Sequence, residues 1–180
     1  MRNPLTNRYG KGAIAVATGA LLLFPAGAAY AGSGPAPSPS QRADTSTTAP
    51  SEKGNPNSKL ARAAGVCDDA HEIGTKGVAT RDGVQVASVK QFYSEKCEEN
   101  YAYVWVWDQF RDGAAPYDVS LAVYDHDTDE YHGKKVAENT TDQEFWTEGT
   151  GTVSDCTSAV GSLRAEGDPL TSQAASSKRC

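Results

Sequence analysis

Three groups of residues in this 180-residue sequence have types and spacing that suit chemistry. The first is "YDHDTDEYH", Tyr124–His132, the most charged stretch in the chain. Taking Thr128-Asp129 as a two-residue turn sets Asp127 opposite Glu130 and Asp125 opposite His132, all on one side of a ladder. Like charges at that spacing repel unless solvent or a cation screens them, and Ca²⁺ uses such oxygens well. The D-x-D-x-D run matches the start of an EF-hand loop. Position six is then Glu130 where Gly is needed, and position twelve is Val136 where Glu is needed. The stretch is read as a solvated acidic turn, with a weak divalent site at Asp125, Asp127, Glu130 and His132 as the alternative. His126 would point the other way. No other cofactor is expected.

The second group is a row of rings. Tyr101, Tyr103, Trp105 and Trp107 alternate with Ala102, Val104 and Val106. In a strand the rings share one face and the smaller residues the other. Two readings stay open. If the valine face is the core, the rings form an exposed ladder able to stack on sugars or to serve as a partner surface. If the strand is central, both faces are covered and the rings are core. Phe92, Tyr93, Phe145 and Trp146 suit either arrangement.

The third group is Cys67, Cys97, Cys156 and Cys180. An even count fits a disulfide framework. Cys67–Cys97 with Cys156–Cys180 is the favoured pairing, and Cys97–Cys156, pinning the sheet across its middle, remains close behind. No C-x-x-C occurs, and scattered cysteines do not suit zinc.

Catalytic arrangements are weaker. Of the 23 acidic residues, 19 fall between Asp68 and Asp155, so no carboxylate pair stands out. Asp108, Asp112, Glu144 and Glu148 read as solvated loop or strand-edge groups. Asp68, Asp69 and His71 read as a polar loop beside a disulfide. No G-x-S-x-G, phosphate loop or dinucleotide fingerprint is present.

These groups need a sheet to position them. The β-branched and aromatic runs Val84–Tyr93, Tyr101–Phe110, Tyr117–Asp125, Glu130–Glu138 and Gln143–Val153 alternate with period two. Their connections are too short for parallel crossovers. The expectation is an all-β, disulfide-linked antiparallel barrel or sandwich of five to six strands, with a helical turn near Leu60–Ala64.

The flanks read differently. Residues 1–31 resemble a secretory signal peptide: Arg2, Arg8 and Lys11, then the uncharged run Ala13–Phe24, then Ala29 and Ala31 at A-x-A positions. That run of 12 residues falls short of the roughly 20 a membrane span needs. Residues 32–59, rich in Pro, Ser and Thr, read as a disordered linker. Residues 60–156 form the expected domain, and 157–180 a loose tail. Cleavage after Ala31 removes three of 17 basic residues and no acid, leaving 14 against 23, a net charge of −9. That balance excludes a sequence-independent nucleic-acid binder and does not suit anionic lipid.

The segment Val86–Val106 also resembles the core of the YjfA-like family of small secreted bacterial proteins. Tyr93-Ser94, Cys97 and Asn100-Tyr101-Ala102 carry the resemblance, with Tyr101 where Trp is usual, together with Cys67, Cys156 and Gly133–Val136. It spans about Gly65 to Cys156. A second early Cys is missing, and Cys180 is extra. The resemblance implies a secreted, disulfide-linked β domain and supplies no catalytic residues. The combined reading is an extracellular, non-catalytic module that binds a protein or a cell-wall glycan. A carboxylate-dependent hydrolase and an extracellular structural or inhibitory protein are the alternatives.

Overall fold

Strand-forming runs that are apolar on one side must bury that side, and here two sheets bury it against each other. The structure is a computed structural model and describes residues 47–114 and 116–180. In chain order the elements are α1 (Lys59–Ala63), β1 (His71–Arg81), β2 (Val84–Ser94), β3 (Glu99–Val106) and α2 (Asp108–Ala114). They continue as β4 (Tyr117–Asp125), β5 (Glu130–Thr140), β6 (Glu144–Trp146), β7 (Thr157–Ala165) and β8 (Ser172–Ala175). The first sheet has the order β1-β2-β3-β6 and the second β5-β4-β7-β8. All neighbours are antiparallel. The fold is thus a disulfide-linked β-sandwich and not a closed barrel, with eight strands among the described residues rather than five or six.

The main core lies between the sheets. Val89 and Val104 from the first sheet meet Val119, Leu121, Val123 and Leu163 from the second. The two sheets also abut along one side. A Cβ at Gly77 in β1 would overlap the carbonyl of Ala175 in β8, so only glycine admits that approach. There Ser177 donates its N–H to the Thr75 carbonyl, and the Thr75 N–H reaches Ser177 Oγ, each at 2.8 Å. An Arg81–Asp168 ion pair joins the same edge.

Several expectations need correction. The strand starting at Tyr101 stops at Val106 rather than Phe110, because Asp108 opens a short helix whose Phe110 packs on Tyr117. Strand β1 was hidden by Gly74 and Gly77, which interrupt its alternation around an irregular register. The segment 157–180 is no loose tail. It supplies β7, paired on both sides, and β8. Its small inward residues look like a tail in composition, yet Gly161 is what Val104 and Val89 of the facing sheet require. Nor are residues 47–59 a free linker. Asn55 is buried and donates its amide to the Thr47 and Ala49 carbonyls (2.8 and 2.9 Å), and Ser58 caps α1. The signal-peptide segment 1–31 and the linker residues 32–46 lie outside the described residues.

Cys67 pairs with Cys97 and Cys156 with Cys180, which removes the Cys97–Cys156 alternative. The second bridge fastens the start of β7 to the last residue of the chain. Beside it Thr157 and Arg179 exchange backbone bonds. The double substitution Cys156→Ser/Cys180→Ser is expected to cost about 2–4 kcal/mol in urea unfolding. By hydrogen exchange, the Ser172–Ala175 amides should lose protection well before those of β2 and β3.

Candidate functional site

Tyr101, Tyr103, Trp105 and Trp107 do share the outer face of the first sheet, but they do not form an exposed ladder. Tyr101 and Tyr103 are each 0% exposed. They pack with Phe92 and Trp146 under Ala61, Val66 and Ala70. Residues 51–70 lie across the rings as a cover. The Tyr103 hydroxyl donates to the Ser51 carbonyl at 2.6 Å, and the Tyr101 hydroxyl to Glu99 at 2.7 Å. Burial pushes both phenol pKa values up, strongly for Tyr101 and well above 10.0 for Tyr103. Trp105 is half-buried against this cluster, while the Trp107 indole donates to Ser88 Oγ at 3.2 Å with Lys76 above its ring. Of the two readings left open, the covered one holds and the exposed four-ring surface falls: β3 lies inside its sheet, and a second small core occupies its far side. Of the other rings, Phe145 joins the main core instead.

Two ionisable groups sit beneath this cover. Lys90 is 3% exposed. Its ammonium donates to the Glu52 carbonyl at 2.7 Å and lies 3.2 Å from Glu72 and 3.5 Å from the Glu52 carboxylate. A buried charge needs such partners. Burial raises the Glu52 pKa, but the Lys76 hydrogen bond and the charges of Lys90 and Lys76 together outweigh it and hold the carboxyl below 4.5. Glu144, read from sequence as a solvated group, is instead 2% exposed. Burial pushes its pKa above 4.5, and the Ser58 hydroxyl and Trp146 indole oppose this without winning. Glu144 Oε2 and Trp146 Nε1 both lack a well-aligned hydrogen-bond partner.

The acidic hairpin has a different register from the one the sequence implied. Asp125 pairs with Glu130, and His132 pairs with Val123, so the loop is four residues, 126–129, rather than two. Asp129 takes a φ of 62°, a left-handed value that Asp tolerates. The carboxylates serve the turn. Asp125 accepts from the Asp127 N–H and Thr128 Oγ1 (2.8 and 2.7 Å), and Asp127 accepts from the Cys156 N–H at 2.9 Å. The Thr128 and Asp127 bonds hold the Asp125 pKa down. His132 lies 4.0 Å from Asp125. Asp125, Asp127, Glu130 and His132 do not converge three ligand atoms. Among the described residues, the group that does is Cys67, Cys97 and Glu99, within 4.8 Å, and both sulfurs are committed to a disulfide. Asp69, beside it, accepts from Ser94 Oγ and the Lys96 N–H, securing the β2–β3 turn.

The outer face of the second sheet presents another surface. Its outward rows follow from register. Tyr124 faces Tyr131 and Ser158, Ala122 faces Val160, and Ser120 faces Ser162 and Val136. Val160 and Ser162 continue to Ala175 and Gln173 on β8. Small side chains at the centre leave a trough of about 470 Å³, floored by Ser120, Ala122, Val160 and Ser162 and flanked by Tyr131 and Gln173. Ser120 and Ser162 share a 2.8 Å hydrogen bond across the floor.

Tyr131 is 63% exposed at the rim. Its ring packs on Tyr124 (centroids 5.0 Å), which meets His126 edge-on at 4.8 Å. The Tyr124 hydroxyl donates to Asp129, and that bond pushes its pKa up. His126 Nε2 and Ser158 Oγ are 2.9 Å apart. This is a nucleophile–base contact, but Ser158 is buried and no carboxylate of the described residues lies within 4 Å of His126 to orient it.

The sequence reading missed this face. Its signal was present in "YDVSLAVYD", where Ser120, Ala122 and Tyr124 alternate with Val119, Leu121 and Val123. No protein-family model matches the chain, and no curated protein or solved structure matches it either.

Gly54, with φ of 83°, lies against Phe92 so closely that a Cβ would overlap the ring. Gly54→Ala should destabilise the protein by about 1–3 kcal/mol and red-shift its tryptophan emission as the cover loosens. Glu144 makes an opposite prediction. Its folded pKa is raised, so its contribution is full below the ordinary value of 4.5 and is lost as pH rises through the folded value. Glu144→Gln should therefore raise the melting temperature at pH 7, with the gain shrinking to nothing near pH 4.

Proposed function

We propose that this protein is an exported, disulfide-held binding module that engages an extracellular protein or a cell-wall polymer through the outer face of its second sheet. One observation carries the reading. The first sheet has its outer face covered by the chain itself, whereas the second keeps an open trough of about 470 Å³ with a 63% exposed tyrosine at its rim. That volume falls in the roughly 300–1,000 Å³ range of small-ligand sites. Exposed tyrosine is a frequent binding anchor.

Export is supported by the residue pattern of segment 1–31 and by two disulfides, which fit an oxidising compartment. Among the described residues no helix is long and apolar enough to cross a membrane. The resemblance to the YjfA-like family favours a bacterial source and extracellular residence. A non-catalytic role is favoured because no carboxylate lines the trough. Of the hairpin acids a hydrolase would use, Asp125 and Asp127 are engaged in hydrogen bonds that hold the turn.

Ser162→Tyr places a large side chain in the trough floor. Oxidised protein lacking residues 1–31 should be retained by cell-wall material or by a secreted protein, and the variant should be retained at least about tenfold less. Equal retention of the two, with near-UV circular dichroism showing the same fold, would remove this face as the binding surface.

A further inference from the structure

We infer that the trough takes a neutral, hydroxyl-rich glycan chain, with Tyr131 as the stacking platform and Ser120, Ser162, Gln173 and Lys134 as hydrogen-bonding groups. The inference rests on the binding role proposed above and specifies its ligand.

The floor chemistry comes first. Two hydroxyls together offer two donors and four acceptor lone pairs. The mutual bond of Ser120 and Ser162 consumes one donor and one acceptor, leaving one donor and three acceptors facing the trough. Ala122 and Val160 beside them are apolar. A sugar ring has the matching character, with C–H faces above and below and hydroxyls around its edge. Apolar side chains pressed on this floor would leave the one remaining hydroxyl donor without a partner, which disfavours a hydrophobic peptide.

The platform comes second. Tyr131 is exposed, but its ring is backed by Tyr124. Tyr124 is in turn held by its hydroxyl bond to Asp129. A ring fixed in this way is ready to receive the C–H face of a sugar on its electron-rich face, with little ordering entropy left to lose.

Charge comes third. Lys134 is the one cationic side chain lining the trough, and no described acidic group lies within 4 Å of it. The chain as a whole carries −6. A single cation suits a hydroxyl or a lone substituent, whereas a polyanion would meet a repelling field from the rest of the molecule. A protein partner would need about 1,000 Å² or more of contact around a desolvated anchor. Tyr131, 63% exposed beside this hydroxyl-floored trough, is no such desolvated anchor.

The test is calorimetric titration of the oxidised protein, lacking residues 1–31, with four probes. Two are neutral hexasaccharides, of β-1,4-linked glucose and of β-1,4-linked N-acetylglucosamine. The third is a hexagalacturonate, and the fourth is a proline-rich decapeptide. At least one neutral hexasaccharide should bind, and the galacturonate should bind about tenfold more weakly or worse. Tyr131→Ala should weaken the neutral complex about tenfold or more, while Tyr131→Trp restores it. The exposed position of Tyr131 leaves the fold intact in both variants.

Failure of both neutral probes to bind, or binding that Tyr131→Ala leaves unchanged, overturns the glycan assignment. Tyr131-dependent preference for the galacturonate or the peptide also overturns it, while leaving the binding role of this face standing. Loss of retention on cell-wall and secreted fractions together with silence from all four probes defeats both.

Discussion

Strand β3 has to be dry on both sides, and most of the architecture answers that requirement. Its Ala102, Val104 and Val106 face the second sheet, while Tyr101 and Tyr103 face away from it. Facing a second sheet satisfies only one of these sides. The other would leave two large rings, with Phe92 and Trp146, in water. The cover formed by residues 51–70 meets that need, and polar links secure it. The buried Lys90 ammonium takes three oxygens from Glu52 and Glu72, and the Tyr103 hydroxyl reaches the Ser51 carbonyl. Removing rings from water supplies the driving force, and the polar bonds fix where the cover sits.

The second sheet escapes most of this demand because the outward residues at its centre are mostly small or polar. Ser120 and Ser162 are partly exposed and need no lid, while Ser158 is buried beside His126. The same choice that lets the face stay wet also makes it concave, since short side chains at the centre lie between longer ones on the edge strands. An uncovered sheet and a usable trough are two results of one composition. Edge strand β5 carries Lys134 and Lys135 and pairs with β4 through two register irregularities, features that discourage pairing with another chain. The open face is thus kept from becoming an aggregation edge.

Much of this was legible in the sequence, for reasons that can be named. Strand β4 was read at its observed bounds because Tyr117–Asp125 combines β-branched residues with clean alternation. The favoured cysteine pairing and the antiparallel class were also legible. What was lost shares a cause. Strand β7 has Ala159 and Gly161 on its inward side, Gly161 where the facing sheet comes close, and Ser158 and Ser162 on its outward side, so its composition imitates a tail. Residues 47–59 contain few apolar side chains, and their ordering depends on a ring surface supplied by strands far along the chain. The ring ladder was correctly placed on one face of β3, but alternation alone does not say what covers a face. The hairpin register was misjudged because a four-residue loop with a left-handed Asp129 and a two-residue turn read alike in an acidic stretch.

The bond between Cys156 and Cys180 has a reach beyond thermal stability. It closes over β8, whose four residues include Gln173 at one bank of the trough. With both thiols reduced, that bank would depend on a four-residue ladder and an unanchored chain end. Under reducing conditions the protein would then carry a half-assembled bank, and the finished contour would arise only once the two thiols are oxidised. Oxidation would in this way act as a quality seal on the contour of the second sheet.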